Sequence, residues 1–131
     1  MQKAYNAAEL AGRFLLVALF LISGVGKIAG YTETQGYMQA QGVPGLLLPL
    51  VILTEIGGSI LIAAGLWTRL AAFALGGFTL LAALLFHGGS SDQVQQIMFL
   101  KDVSIAGAFL LLVAHGAGEW SVDSRIANSR R

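Results

Sequence analysis

The sequence contains no cysteine, only two prolines and two histidines, and charged residues make up just 11% of its 131 residues. The absence of cysteine excludes disulfides and any thiol chemistry by this chain itself, so a redox role would depend on a cofactor or a partner. No basic patch of the kind that nucleic acids require is present. No group of His, Asp and Glu has the spacing of metal ligands. We therefore expect no covalent cofactor, no metal and no nucleic-acid partner.

Hydrophobic residues are abundant instead, at 56% of the chain, and they fall into four long apolar runs. With flanking neutral residues, each run reaches about 17 to 22 residues, which at about 1.5 Å per residue crosses a hydrocarbon core of about 30 Å. The pattern predicts an all-α integral membrane four-helix bundle that forms one domain, residues 1–131. The predicted parts are spans at about 10–28, 46–67, 70–87 and 97–115, followed by a tail at 116–131.

The basic residues predict how this bundle is oriented. The N-terminus, the loop after Trp67 and the tail lie on one side, whereas the loops at 29–44 and 88–96 contain no Lys or Arg. The positive-inside rule then places both termini in the cytoplasm of a bacterial inner membrane. The basic residues on the cytoplasmic side are Lys3, Arg13, Arg69, Arg125, Arg130 and Arg131. Arg13 and Arg69 are interpreted most simply as cytoplasmic anchors.

Three further local features of the sequence predict details of the structure. The polar segment 30–42 is too long for a tight turn, so we expect a short helix at the outer interface. Pro49 is expected to bend the second span or to free a carbonyl near Gly45. The many glycines inside the spans are interpreted as packing seams, because small residues let membrane helices approach closely. Two stretches have the spacing for such a seam, Ala72 to Gly76 and Ser104 to Ala108.

Glu55 is the only ionisable residue between Val43 and Thr68. A carboxylate inside a membrane span costs several kcal/mol unless something pairs with it. Helical phase puts Glu55 on one face with Ser59 and Ile62. On the fourth span, Lys101 is aligned in the same way with Ser104 and Ala108. With the predicted orientation, five polar residues fall in the outer half of the bilayer: Lys27, Glu55, His87, Lys101 and Asp102. The first four are expected to form one polar chamber that opens outward.

Two interpretations of this chamber stay open. One is a set of ion pairs that merely fixes the register of the helices. The other is a site that binds a polar headgroup or relays protons, with Glu55 and His87 as the candidate catalytic residues and all five residues as candidate ligand-binding residues. Lys27 has the alternative of extending to the outer surface, and His87 has that of a hydrogen-bonded structural histidine.

The two histidines also bear on haem. His87 is predicted at the outer end of the third span and His115 near the inner end of the fourth. About one bilayer separates them, so they cannot ligate one haem from both faces. We expect no haem.

Several short motifs follow one another along the four spans. They are Arg13 before an apolar run, Ser23-Gly-Val-Gly-Lys27, Gly42-Val-Pro44, Glu55-Ile-Gly-Gly58, Gly65 with Thr68-Arg69, Phe86-His87 and Phe99-Leu-Lys101. In their order and spacing, from about residue 8 to residue 123, they resemble the DoxX family of small bacterial inner-membrane proteins. The resemblance implies a four-helix membrane fold and an oxidoreductase role, through relatives linked to quinone-reducing complexes and to oxidative-stress assemblies. Asp102 departs from the pattern, because many members are expected to have Asn there.

The leading hypothesis is a subunit of a quinone-linked oxidoreductase that binds the headgroup of a redox lipid. Glu55 would accept a proton or a hydrogen bond, while Lys27, His87 and Lys101 hold the oxygen atoms or balance charge. Because the chain lacks its own redox chemistry, electron transfer by this chain alone is not expected. The alternative is a non-enzymatic assembly or partner subunit of a larger membrane complex, and the last candidate is a proton-coupled carrier of a small solute. The expected partners are membrane lipid, a larger redox complex and further copies of this chain in a homo-oligomer.

Overall fold

The computed structural model describes residues 1–89 and 91–129, and in these residues the regular secondary structure is all helical, with no strand. Ser90 in the third loop, and Arg130 and Arg131 of the predicted cytoplasmic charge cluster, lie outside the described residues. The α-helices are α1 (Gln2–Ala29), α2 (Tyr31–Ala40), α3 (Leu48–Ala64), α4 (Thr68–Ala82), α5 (Gln93–His115) and α6 (Val122–Ser129). A 3-10 turn (Gly45–Leu47) precedes α3, and a π-helical turn (Ala83–His87) follows α4.

Four helical segments are long and apolar enough to cross a membrane: α1, the 3-10 turn with α3, α4 with the π-helical turn, and α5. The prediction of an all-α fold with four spans is therefore confirmed. The helices extend beyond the predicted spans at two places, since α1 begins at Gln2 and α5 at Gln93. The reason is that an apolar run measures the hydrocarbon thickness, whereas good helix formers such as Ala4, Ala7 and Ala8 continue the helix past it.

The helices pack in the order α1, α3, α4 and α5, each along its neighbour. The edge-on contact of Phe20 and Phe109, with ring centroids 5.4 Å apart, joins α1 to α5 across the middle of the bundle. In a membrane this packing is held by dispersion forces and close fit rather than by exclusion of water. The central core consists of Val17, Phe20, Ile62, Ala71, Ala72, Leu75 and Phe109.

Glycines permit the closest approach of each neighbouring pair of helices. A Cβ atom at Gly24 would lie 2.6 Å from a side-chain carbon of Ile56, and one at Gly58 would lie 2.9 Å from Leu75. Gly76 packs in the same way on Phe109, at 3.0 Å. These three contacts hold α1 to α3, α3 to α4, and α4 to α5, as the seam interpretation predicts.

Other glycines and small residues do not belong to any seam within the described chain. A Cβ atom at Gly26, Gly77 or Gly107 would meet nothing within 4 Å. Ser104 is exposed, so the predicted seam from Ser104 to Ala108 does not lie at a helix contact in the bundle. The outward face of α5 is free of such contacts.

The bundle has two chemically different ends. At the end called here the tail end, the start of α1, the turn between α3 and α4, and α6 lie together. At the loop end, α2 contacts the start of α3, and the loop from 88 to 92 joins the π-helical turn to α5. The predicted short helix at 30–42 is present as α2. Pro49 lies in the first turn of α3, where no N–H is needed, so the predicted bend inside the span is wrong. The alternative, a freed carbonyl near Gly45, agrees with the hydrogen bond that the Gly45 carbonyl accepts from Gln35 Nε2 at 3.1 Å.

Candidate functional site

Glu55 is paired inside the bundle with Lys27 of the neighbouring helix. Its side chain is only 2% exposed, and its Oε1 lies 2.7 Å from Lys27 Nζ. Lys27 Nζ also donates to Ser23 Oγ, one turn earlier on α1, at 2.5 Å. The close approach of α1 to α3 at Gly24 brings the lysine within reach. Lys27 therefore turns inward, rather than extending to the surface, and neutralises the isolated carboxylate.

A second polar pair joins α5 to the π-helical turn. His87 Nε2 lies 3.8 Å from Asp102 Oδ2, too far for a hydrogen bond but close enough for a charge interaction when the ring is protonated. On the other side of the ring, Nδ1 lies 2.5 Å from Gln95 Oε1. In the tautomer in which Nδ1–H donates to this carbonyl oxygen, Nε2 is the ring nitrogen that faces Asp102. Both side chains of the pair are largely buried.

The π-helical turn itself gives His87 its position. Its wider turn changes the direction in which residues after Ala83 point, compared with a continuous α-helix. Phe86 stacks on Tyr37 of α2, with ring centroids 5.4 Å apart and planes at 21°. This contact holds α2 over the loop end. Single π-helical turns occur frequently at functional sites, and sequence periodicity did not reveal this one.

On α5 the inward-facing charged residue is Asp102. Ala106 and Phe109 lie on its face and are buried, whereas Lys101 and Ser104 are exposed. The predicted inward stripe of Lys101, Ser104 and Ala108 therefore differs from the observed one by about one residue. The contact of Phe109 with Gly76 of α4 fixes the rotation of α5 about its axis. The sequence of α5 alone does not predict this rotation, because a helix that is apolar on every side has no single face to bury.

One cavity of about 590 Å³ lies among these side chains, within the loop-end half of the bundle. Such a volume is typical of small-ligand sites. All four spans and α2 contribute to its wall. The five candidate residues are all part of that wall, namely Lys27, Glu55, His87, Lys101 and Asp102. Most of the remaining wall is apolar, including Leu19, Phe20, Leu50, Val51, Phe78, Leu81, Leu85 and Met98.

The charges around this cavity balance. Two lysines and two carboxylates face it when His87 is neutral. Lys27 and Glu55 stand on the α1 and α3 side, whereas His87 and Asp102 stand on the α4 and α5 side. A balanced set of donors and acceptors on two walls suits an uncharged polar headgroup better than an ion, because an added charge would have no counter-ion.

A second cluster, at the tail end, is built around Arg13, whose side chain is just 3% exposed. Its guanidinium donates to the carbonyls of Ile62 at 3.0 Å, Ala63 at 3.3 Å and Trp120 at 2.5 Å. The first two belong to the last turn of α3, where carbonyls have no partner within the helix. Arg13 is therefore buried and bound to backbone carbonyls, which a simple cytoplasmic anchor does not require, whereas Arg69 is exposed.

Asp123 of α6 completes this tail cluster. Its carboxylate accepts hydrogen bonds from the backbone N–H of Trp67 at 2.8 Å and of Thr68 at 3.0 Å, and so caps α4. Its own N–H donates to the carbonyl of Gly65 at 2.8 Å. Partial burial acts to raise the pKa of Asp123, but hydrogen bonds from Thr68 and Trp67 and the charge of Arg13 outweigh it, so its pKa is lowered.

Gly65 explains how the tail can lie so close. Its φ of 74° is in the left-handed region, which ends α3. A Cβ atom there would overlap Arg13 and Ser121. Sequence analysis missed the tail cluster because its partners are up to 107 residues apart. The available signals were the Gly65 helix end and an acidic residue in the tail.

Within residues 1–89 and 91–129, no three His, Asp or Glu side chains are close enough to share a metal ion. The charged groups of the bundle interior form pairs instead.

Comparisons with known proteins all point to small inner-membrane proteins. Residues 8–88 match the model of the DoxX family. The chain is 47% identical over 130 residues to Inner membrane protein YqjF of Escherichia coli strain K12, with 99% of each chain covered. It is 37% identical over 123 residues to Inner membrane protein YphA of the same strain, with 88% of each covered. No solved structure is significantly similar.

Proposed function

Because this chain belongs to the DoxX family and is a multi-pass inner-membrane protein, we propose that it is a quinone-linked oxidoreductase subunit. The cavity at the loop end binds the headgroup of a small redox lipid such as a quinone. In this proposal both termini are cytoplasmic, so the cavity lies in the outer half of the bilayer. The electrons come from a redox partner subunit.

One observation carries the proposal: two separate ion pairs line one largely apolar cavity. A quinone ring has two carbonyl oxygens at opposite edges, and the two pairs stand on different walls. Lys27 donates to one oxygen, while His87 Nε2, when protonated, donates to the other. The apolar side chains between them contact the ring.

The same residues supply the protons that the reaction needs. Reduction of a quinone takes two electrons from the partner subunit and two protons, and it gives a quinol. Protonated Glu55 and protonated His87 each give one proton to an oxygen of the ring, which leaves Glu55 as the carboxylate paired with Lys27 and His87 neutral beside Asp102. Lys101, at the edge of the cavity, adds a positive charge that favours a partly reduced ring.

The quinone content of the purified protein tests this proposal. We expect about one quinone per chain after extraction in native nanodiscs, quantified by mass spectrometry, and about a tenfold lower content in Glu55→Gln, because the buried carboxyl group paired with Lys27 is replaced by a neutral amide. Glu33→Gln is the matched control, since Glu33 is exposed on α2 and does not line the cavity. Wild-type protein without quinone above the level of the surrounding lipid would contradict the proposal.

The exposed face of α5 favours the assembly subunit as second candidate. Gly107 and Ser104 lie there without a helix beside them in the described chain. Small residues on a lipid-exposed face permit another helix to approach. If the chain is an assembly subunit, the wild-type protein should migrate with a larger complex in mild detergent. Ser104→Leu should disrupt that complex, whereas Glu55→Gln should not. Migration of wild-type protein as a single chain would exclude it.

A proton-coupled carrier has less support. It requires a polar path from Glu55 toward the tail end. The apolar core formed by Phe20, Ile62 and Phe109 lies along that direction.

A further inference from the structure

The cavity reaches the lipid-facing surface of the bundle between α3 and α4. Leu50 of α3 and Leu81 of α4 both line it, yet they are 59% and 56% exposed. A side chain that borders an internal cavity and is also half exposed marks an opening. Thr54, Ala74 and Gly77 line the cavity beside these leucines, and the five residues are called the α3–α4 opening.

The opening has a simple cause in the packing of the two helices. They touch closely where Gly58 meets Leu75. Farther toward the loop end, small residues leave space on α4, and a Cβ atom at Gly77 would meet nothing within 4 Å. Gly77 is exposed and still lines the cavity, so it lies where the interior and the lipid meet.

The opposite side of the cavity differs in chemistry. Between α1 and α5 the wall includes Leu19, which is 46% exposed, and the exposed Lys101. That side of the cavity therefore includes a charged amine, whereas the side chains of the α3–α4 opening are apolar apart from one threonine. The Thr54 hydroxyl is itself occupied, donating to the carbonyl of Leu50 at 2.8 Å. The α3–α4 opening therefore presents no free hydrogen-bond donor to a ligand.

We propose that the ligand enters from the bilayer through the α3–α4 opening and that its long apolar chain stays there, in lipid, while the headgroup lies between the two ion pairs. This inference rests on the proposed function, since it needs a headgroup in the cavity. It adds the class of ligand: a membrane amphiphile with one long isoprenoid or acyl chain, not a water-soluble molecule. The chain remains in contact with apolar groups throughout, so it loses no favourable solvation.

Blocking the opening tests this inference without touching the ion pairs. Gly77→Phe places a ring at the opening, and Gly107→Phe is the matched control, because Gly107 is also exposed with open space around it but does not line the cavity. The binding of two benzoquinones with the same ring, one with a long isoprenoid chain and one with a methyl group only, is measured in nanodiscs by fluorescence quenching or calorimetry.

We expect Gly77→Phe to weaken binding of the long-chain quinone at least about tenfold and that of the methyl quinone less than about twofold. Gly107→Phe leaves both unchanged. Equal binding of the long-chain quinone to wild type and Gly77→Phe, or equal weakening of both quinones, would overturn the inference. Wild-type protein that binds neither quinone would overturn the proposed function as well, so the two failures are distinguishable. Leu81→Trp provides a second block if Gly77→Phe does not fold.

Discussion

Glu55 and Arg13 are buried to the same degree in opposite halves of the bundle, with 2% and 3% of their surface exposed, yet their partners differ. Arg13 donates to three backbone carbonyls, which hold their positions as long as α3 and the tail do. Glu55 has the side chain of one lysine, next to a cavity. A backbone partner cannot leave without unfolding, whereas a lysine can change rotamer. The Arg13 contacts are therefore structural, and the Glu55 contact can exchange with a ligand.

The largest effect that separates the two regions is expected from Arg13→Gln. The shorter amide does not reach these carbonyls, and those of Ala63 and Trp120 lose their Arg13 donor, each at a cost of about 1 to 3 kcal/mol. We expect the free energy of unfolding to fall by about 3 kcal/mol or more in total. Thermal unfolding followed by circular dichroism in detergent measures the change.

Arg69→Gln is the control for Arg13, because Arg69 lies at the same end but is exposed. It should change the free energy of unfolding by less than about 0.5 kcal/mol. Equal losses in the two variants would mean that charge at this end, rather than the carbonyl contacts, stabilises the fold.

An intermediate effect is expected for the Lys27 and Glu55 pair in a double-mutant cycle. Each single change, Lys27→Gln or Glu55→Gln, leaves one buried charge without its partner. The double variant restores a neutral hydrogen-bonded pair. We expect the loss in the double variant to be smaller than the sum of the single losses by about 1 to 2 kcal/mol, measured by the same thermal unfolding. Additive losses would show that the pair is not coupled, and the contrast with Arg13 would disappear.

The smallest effect concerns Asp123 and pH. Its pKa is lowered by folding, so the stabilisation that it provides is complete above its unfolded pKa of about 3.9 and is lost as the pH falls through the folded value. Contact of the tail with α4 should thus weaken below about pH 4. Trp67 and Trp120 are the only tryptophans, and both lie in this region, so tryptophan fluorescence follows it. Asp123→Asn should weaken the contact at neutral pH and remove this acid transition; an unchanged transition would assign it to another group.

The sequence predicted the four spans and the inward face of α3, because each depends on information within one helix. Glu55, Ser59 and Ile62 are all buried as helical phase predicts. The rotation of α5 could not be predicted in the same way. That rotation is set by Phe109 against Gly76 on another helix, and α5 is apolar on several sides, so Asp102 rather than Lys101 points inward.

Two parts of the molecule depended on information that no local pattern contains. Arg13 resembles a surface anchor until the tail, some 107 residues later, supplies a carbonyl for it. The π-helical turn has no composition signal of its own, since Ala83 to His87 would also suit an ordinary helix. Both require the long-range packing of the bundle.

Because of the π-helical turn, the number of residues between Ala83 and His87 determines where the imidazole points. The turn is equivalent to one residue inserted into an α-helix, and an α-helix rotates by about 100° for each residue. Deleting one residue between Ala83 and His87 would therefore restore a regular α-helix and still point the imidazole toward Asp102, whereas a regular α-helix with all the residues kept would rotate it away by about 100°. Among relatives, a one-position gap in this turn would mark proteins that keep the histidine's place beside the cavity without the π-helical turn.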